Sequence, residues 1–269
     1  PTDLRENLLA LSKAEATSIS SYGELDAALG KFIGNSVNNF LRRFGIDPKD
    51  VQAIGSHGQT IRHQPPGTRG NDEQSFTLQI GDPNRIAFIT EIITIADFRR
   101  MDIAAGGQGA PLVPLFHQKI LKKQGLDAAL INIGGIANIT YFEESLLGYD
   151  IGPGNCLIDA WCQRKLNKPY DDKGHWARTG KLQEKLLKRL LDEPYFYLKP
   201  PKSTGKELFN LDWLTKKGPE YQLDTMNSQD VQRTLLELTA VTISKSVKNT
   251  PRVSNVIVCG GGRSNEFLM

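Results

Sequence analysis

The chain has 269 residues, 39% of them hydrophobic and 23% charged, and its 33 Lys and Arg against 30 Asp and Glu leave a net charge of +3. That length holds one large domain or two ordinary ones, while 25 Gly and 14 Pro spread along it exclude collagen-like and disordered classes. So balanced a charge argues against a nucleic-acid surface and leaves small anions as ligands. The longest apolar stretch, around 87–98, is broken by Glu91 and Asp97 and falls short of the ~20 residues of a membrane helix. Cys156, Cys162 and Cys259 form no C-x-x-C pair, which favours reduced thiols in a cytoplasmic protein over a disulfide framework or a zinc site.

In chain order, Leu4, Leu8 and Leu11, then Leu25, Leu29, Phe32, Phe40, Leu41 and Phe44, predict two helices, the second stopped by Gly45 and Pro48. A short strand Val51–Ile54 runs into the polar turn Gly55–Thr60. A loop over Gln64–Gln74 leads to a strand Phe76–Ile80. Asp82-Pro83 opens a helix through Ile89, followed by a strand Ile92–Ala96, a flexible Ala104–Pro111 stretch and a helix Leu115–Lys122. Ala128–Ile133 and Ala137–Phe142 predict a hairpin around Gly134-Gly135, and Leu147–Ile151 a third strand. Asn155 is placed to cap a helix Cys156–Leu166. Helices Lys181–Leu191 and Val231–Val247 and a strand Val256–Cys259 complete the alternation, with a helix beginning after Asn265. The fold class is α/β, with a change of lobe near Gln124–Asp127 that gives residues 1–126 and 127–269.

Three glycine turns follow predicted strands: Gly134-Gly135, Gly152-Pro153-Gly154 and Gly260-Gly261-Gly262. Each is an ordinary turn or a place where a backbone closely approaches a phosphate. Three of them at strand ends, where ligands of α/β folds gather, strengthen the second reading. Neither G-x-x-x-x-G-K-[ST] nor G-x-G-x-x-G occurs. Asp150 ends an apolar strand before a glycine turn and reads either as a general base at a cleft or as a cap on the turn. Asp159 reads as structural, and Asp171-Asp172 as part of a solvated loop. His57 and His63 lack the spacing of a metal pair, so no metal ligand is assigned and substrate contact or turn stabilisation remains. Arg99 and Arg100 read as an anion clamp or as internal ion pairs. Gly106–Pro111 reads as a ligand-side hinge or a plain linker. Trp161, Trp176 and Trp213 read as core or lobe-interface aromatics.

Taken together, Gly55-Ser56-His57-Gly58-Gln59-Thr60-Ile61-Arg62-His63, Ala96-Asp97-Phe98-Arg99-Arg100 with Gly106 to Pro114, Asn132-Ile133-Gly134-Gly135-Ile136-Ala137-Asn138, Tyr149 to Asn155, Pro201-Lys202-Ser203-Thr204-Gly205 with Phe209-Asn210, and Val258 to Gly262 with Asn265 resemble the anhydro-N-acetylmuramic acid kinase family in order and spacing over nearly the whole chain. The resemblance implies a two-lobed actin-like ATPase fold of duplicated ribonuclease-H-like sheets, and ATP with Mg²⁺ as cofactors. It also implies conversion of 1,6-anhydro-N-acetylmuramic acid to N-acetylmuramic acid 6-phosphate in bacterial cell-wall recycling. Asp150 matches the general base; Gly134 and Gly135 match a phosphate turn; Gly260, Gly261, Gly262 and Asn265 match the adenosine-side loop. His57, Arg100 and Gln108 fall in sugar-side motifs. A cytoplasmic homodimer without nucleic-acid or membrane partners follows from the same resemblance. The family's opening strand with its Gly-Thr-Ser-x-Asp-Gly turn does not precede Pro1, and members continue beyond the position of Met269. The sequence is therefore expected to be part of a longer chain and inactive by itself. Two rivals stand beside this reading: a nucleotide-gated binding protein on the same fold, disfavoured by Asp150, and a kinase for another sugar.

Overall fold

The structure is a computed structural model that describes residues 2–67, 72–142, 146–218, 223–250 and 253–269. Mixed α/β structure is divided between two compact units, Pro1–Gly109 and Ala110–Met269.

In the first unit, α1 (Thr2–Lys13) and α2 (Ile19–Phe44) carry the helical periodicity of the sequence. Ser18 caps α2 by accepting the amide of Ser21 at 3.0 Å, and Gly45, with φ at 63°, ends it with its amide turned back to the last carbonyls. Two short ladders follow. β1 (Ile54–Gly55) pairs in parallel with β4 (Thr94–Ile95), and β2 (Gln59–Gln64) pairs antiparallel with β3 (Phe76–Ile80). Between them α3 (Pro83–Thr90) starts on Asp82, whose side chain accepts the amides of Asn84 and Arg85. Asn38 of α2 donates to the Ile89 carbonyl at 2.8 Å and Asp26 accepts the Gly81 amide at 2.7 Å, which fixes α2 against α3 and the end of β3. Leu11, Leu29, Ile61 and Ile80 form this unit's small core.

Four expectations change here, the first being the strand expected over 51–54, which begins only at Ile54 and continues into Gly55. β2 was not foreseen as a strand, because Ile61 is its only apolar residue; its order comes from pairing with β3. The strand expected over 92–96 shortens to Thr94–Ile95. The stretch expected to be flexible begins inside α4 (Arg100–Ala104) and is then pinned: the Gly109 amide donates to Asp102 Oδ2 at 2.6 Å and the Gly107 amide to the Asp102 carbonyl at 2.7 Å.

In the second unit, β5 (Ala128–Ile133), β6 (Ile136–Phe142), β7 (Leu146–Pro153) and β8 (Asn255–Cys259) form one sheet in the order β7-β6-β5-β8. The first three strands run antiparallel in sequence and β8 lies parallel to β5. Alternation divides the faces. Ile131, Ile133, Ala137, Ile139, Tyr149 and Ile151 pack on one face with Ile243 and Val247 of α10 (Ser228–Lys248). On the other face Thr140 meets His117 of α5 (Pro114–Gln124), Nδ1 to Oγ1 at 3.0 Å. Next to the sheet, α6 (Cys156–Leu166), α7 (His175–Arg178), α8 (Glu184–Leu191) and α9 (Leu211–Lys217) enclose a second core around Trp161, Leu186, Leu190, Phe209, Trp213 and Leu235. Each such side chain contributes about 1.5–3 kcal/mol on burial. Trp161 and Trp213 are core residues, and Trp176 packs against the same cluster.

Gly261–Ser264 is a 3-10 turn, and after it the amides of Leu268 and Met269 return to the Asn265 carbonyl in a single turn. Asp171 is not on a solvated loop. It is 7% exposed, and its carboxylate accepts the amides of Trp176 and Ala177 and the side-chain amide of Gln232, binding the start of α7 to α10.

Candidate functional site

Because β5, β7 and β8 point the same way, their carboxyl ends and the following glycine turns come to one edge of the second unit's sheet. The turns interlock through main chain. The Gly134 carbonyl accepts the Asn155 amide at 2.8 Å, and the Gly135 carbonyl accepts those of Gly154 at 2.9 Å and Cys156 at 3.0 Å. A Cβ on Gly154 would collide with the Gly134 carbonyl oxygen, so only glycine closes this contact. Gly260, at φ 86°, passes so close to β5 that a Cβ there would stand 2.5 Å from Asn132 Oδ1 and 2.6 Å from the Ile133 carbonyl oxygen. From α10, the Thr239 hydroxyl lies between the carbonyls of Pro153 (3.1 Å) and Gly154 (2.9 Å). Asn155 occupies the N-cap position of α6, but its side chain makes no cap bond and donates instead to the Ile133 carbonyl at 3.4 Å. Asn265 caps the last turn, its Oδ1 accepting the Leu268 amide at 3.1 Å.

Charge is arranged around this edge. The exposed Lys206 runs past Gly135, its Cε 2.9 Å from where a Cβ would be. Burial raises the Asp159 carboxyl to about 6, with Lys206 opposing and Asp171 adding. Burial also pushes the Cys156 thiol up to about 12, so it is no thiolate nucleophile near neutral pH. With the Gly154, Asn155 and Cys156 amides taken up by the Gly134 and Gly135 carbonyls, what this edge offers a phosphate chain is close approach at turns without Cβ atoms and the nearby Lys206 ammonium.

Asp150 sits on β7 behind these turns and is 6% exposed. Its main chain faces away from β6. Its amide donates to the Lys202 carbonyl at 3.1 Å and its carbonyl accepts the Tyr195 hydroxyl at 2.7 Å. Its Oδ2 accepts the Thr204 amide at 3.1 Å, and Lys202 Nζ closes the ring on the Tyr195 carbonyl at 3.0 Å. Burial lowers the Lys202 amine to about 8, with the Lys245 charge adding to the effect. Tyr195, Lys202 and Thr239 were not found by reading the residues singly; only the Pro201–Gly205 motif marked that region.

In the first unit His57 pairs with Arg99 and not with Arg100. Arg99 Nε donates to His57 Nε2 at 2.8 Å and Nη1 to the Gly109 carbonyl at 2.6 Å, so His57 carries its proton on Nδ1, bonded to the Gly58 carbonyl at 2.9 Å. Gln108 donates to the Pro66 carbonyl at 3.3 Å. Pro66 and Arg100 line one cleft of about 780 Å³ with Thr77, Leu78 and Ile103. Arg100 also forms an exposed ion pair with Asp97 at 3.5 Å. His63 contacts Thr77 Oγ1 at 3.0 Å, and burial, reinforced by the Arg99 charge, lowers its ring to about 4.

Fold and site define a mixed α/β protein whose glycine turns and one buried carboxylate meet at a sheet edge. The family model for anhydro-N-acetylmuramic acid kinase matches residues 1–269. Curated proteins named anhydro-N-acetylmuramic acid kinase are similar over the whole chain: 50% identical in Coxiella burnetii (strain RSA 493 / Nine Mile phase I), 49% in Shewanella sp. (strain ANA-3) and 48% in Vibrio vulnificus (strain CMCP6). In each case the match spans 72% of the relative's length. The chain belongs to the anhydro-N-acetylmuramic acid kinase family.

Proposed function

We propose that this protein is the ATP-dependent kinase that opens the 1,6-anhydro bridge of anhydro-N-acetylmuramic acid and yields N-acetylmuramic acid 6-phosphate in cell-wall recycling. The observation that carries the reading is the placement of Asp150 beside interlocked glycine turns, since nucleophile and phosphoryl group must be positioned together. ATP would supply the phosphoryl group when bound, and Mg²⁺ would neutralise its charge. Asp150 takes a proton from the water that attacks the anomeric carbon; the bond from that carbon to the bridging oxygen breaks, and the freed 6-oxygen attacks the γ-phosphorus, whose bond to the β,γ-bridging oxygen breaks to release ADP. Gly134, Gly135 and Lys206 face the phosphates, and Gly260, Gly261, Gly262 and Asn265 the adenosine side. His57, Arg100 and Gln108 face the sugar, with Arg99 fixing the His57 tautomer.

The same reading includes a two-lobed actin-like fold, supported for one lobe by three antiparallel strands followed by a parallel fourth. It also includes a homodimer in the cytoplasm, supported there by three free thiols. No helix among the described residues is long and apolar enough to cross a membrane.

Asp150→Asn in the full-length protein tests the assignment. Turnover of the anhydro sugar, followed by phosphosugar formation, is expected to fall about 10²–10⁴-fold, with calorimetric binding of ATP and sugar retained. Unchanged turnover sinks the base.

A further inference from the structure

One face of the second unit's sheet carries a polar row. Strand register sets Cys259 beside Asn132, Asn132 beside Asn138, and Asn138 beside Asp150. Directly opposed residues share a face, and this is the face opposite the packed Ile131, Ile139 and Tyr149. Asp150 turns its own amide and carbonyl outward to Lys202 and Tyr195. Its pairing with Asn138 is therefore the narrow, non-hydrogen-bonded kind, in which side chains approach most closely.

Within this row Asn138 stands apart. Asn132 Oδ1 meets Cys259 Sγ at 3.8 Å, and Asp150 Oδ2 meets the Thr204 amide. Asn138 Oδ1 is buried without a protein hydrogen-bond partner, one of four such side-chain atoms among the described residues. An unpaired buried acceptor costs about 1–3 kcal/mol, and leucine would fill similar space without that cost. Such costs cluster where function requires them.

A water activated by one carboxylate has a second O–H to place, and that bond sets the direction of its lone pair. We propose that Asn138 is a second catalytic residue, whose Oδ1 accepts the remaining O–H of the water that Asp150 deprotonates. Asp150 removes one proton, Asn138 holds the other, and the lone pair is directed at the anomeric carbon. No bond to Asn138 forms or breaks. The inference rests on Asp150 being the base.

The test is Asn138→Leu in the protein, with Asn138→Asp beside it should the first fold poorly. Removing an unpaired acceptor is expected to leave the melting temperature unchanged or raised, while kcat falls roughly 10–100-fold at near-constant KM for ATP and sugar. In Asn138→Asp two facing carboxylates share the site, and the acid limb of the kcat profile is expected to move to higher pH. Wild-type kcat in Asn138→Leu overturns the proposal, as does a kcat loss accompanied by an equal loss of stability. If Asp150→Asn is inactive while Asn138→Leu turns over normally, only the Asn138 role falls. If Asp150→Asn remains active, the base assignment falls as well.

Discussion

In residues 110–269 the groups assigned to chemistry are mostly main chain at the end of a four-stranded sheet, seated beside a core that includes Trp161, Leu190 and Phe209. In residues 2–109 the groups proposed to face the sugar are side chains, His57, Arg100 and Gln108 with Arg99, carried by loops and the start of α4 beside two short ladders and a core cluster of Leu11, Leu29, Ile61 and Ile80. Main-chain groups cannot turn without breaking a ladder, which suits an invariant polyanion. Side chains on loops can be exchanged with little cost to the fold, which suits recognition of one particular ligand. On the proposed function, rigidity would belong to one unit and discrimination to the other.

The largest expected break comes from the rigid side. Gly154→Ala forces a Cβ onto the Gly134 carbonyl oxygen and parts the two turns. Turnover is expected to drop about 10²-fold, as a displacement of about 1 Å would cause, measured as phosphosugar formation. A near-normal rate would mean that the interlock is not needed.

A matched pair of core truncations sharpens the difference in packing. Leu190→Ala, within the large core, is expected near the upper end of the about 2–5 kcal/mol range, and Leu11→Ala, in the small cluster, near its lower end. Guanidinium denaturation separates them, because Trp161, Trp176 and Trp213 all lie in 110–269. Their fluorescence should follow the first variant, and circular dichroism both. Equal losses would erase the distinction.

The smallest effect is a pH dependence confined to the first unit. His63 titrates near 4 when folded, below its ordinary 6.5, because burial and then Arg99 disfavour the cation. The unfolded chain therefore binds the proton first, and stability falls as pH drops from 6.5 towards 4. Discounted for partial exposure, the loss is about 1–2 kcal/mol. His63→Gln should flatten thermal midpoints between those pH values.

Much of the second unit was legible because its elements carry local signals. β5 and α6 have the bounds the sequence implies, one a largely apolar run stopped by glycine, the other following the asparagine turn. β2 was missed because its residues are polar and acquire a strand only through β3. α4 was missed because no side chain caps it and glycine follows. At the site, each glycine turn could be read singly. Their meeting depends on the order β7-β6-β5-β8, which no local pattern encodes. Tyr195 and Thr239 reach the Asp150 carbonyl and the turns from distant elements through bonds to main chain that any hydroxyl in that place would make, and Lys202 meets the Asp150 amide through its own main-chain carbonyl. Asp171 looked like a loop residue because two adjacent acids resemble solvated surface, yet it is the hidden tie between α7 and α10.

The Gly135 carbonyl that holds the Cys156 amide bears on the order of folding. Nucleating a helix is its costliest step. Here the first amide of α6 finds its partner in the preceding hairpin, so formation of β5 and β6 supplies a template on which the helix starts. Strand pairing, ordinarily the slower event, then sets the pace for the helix as well.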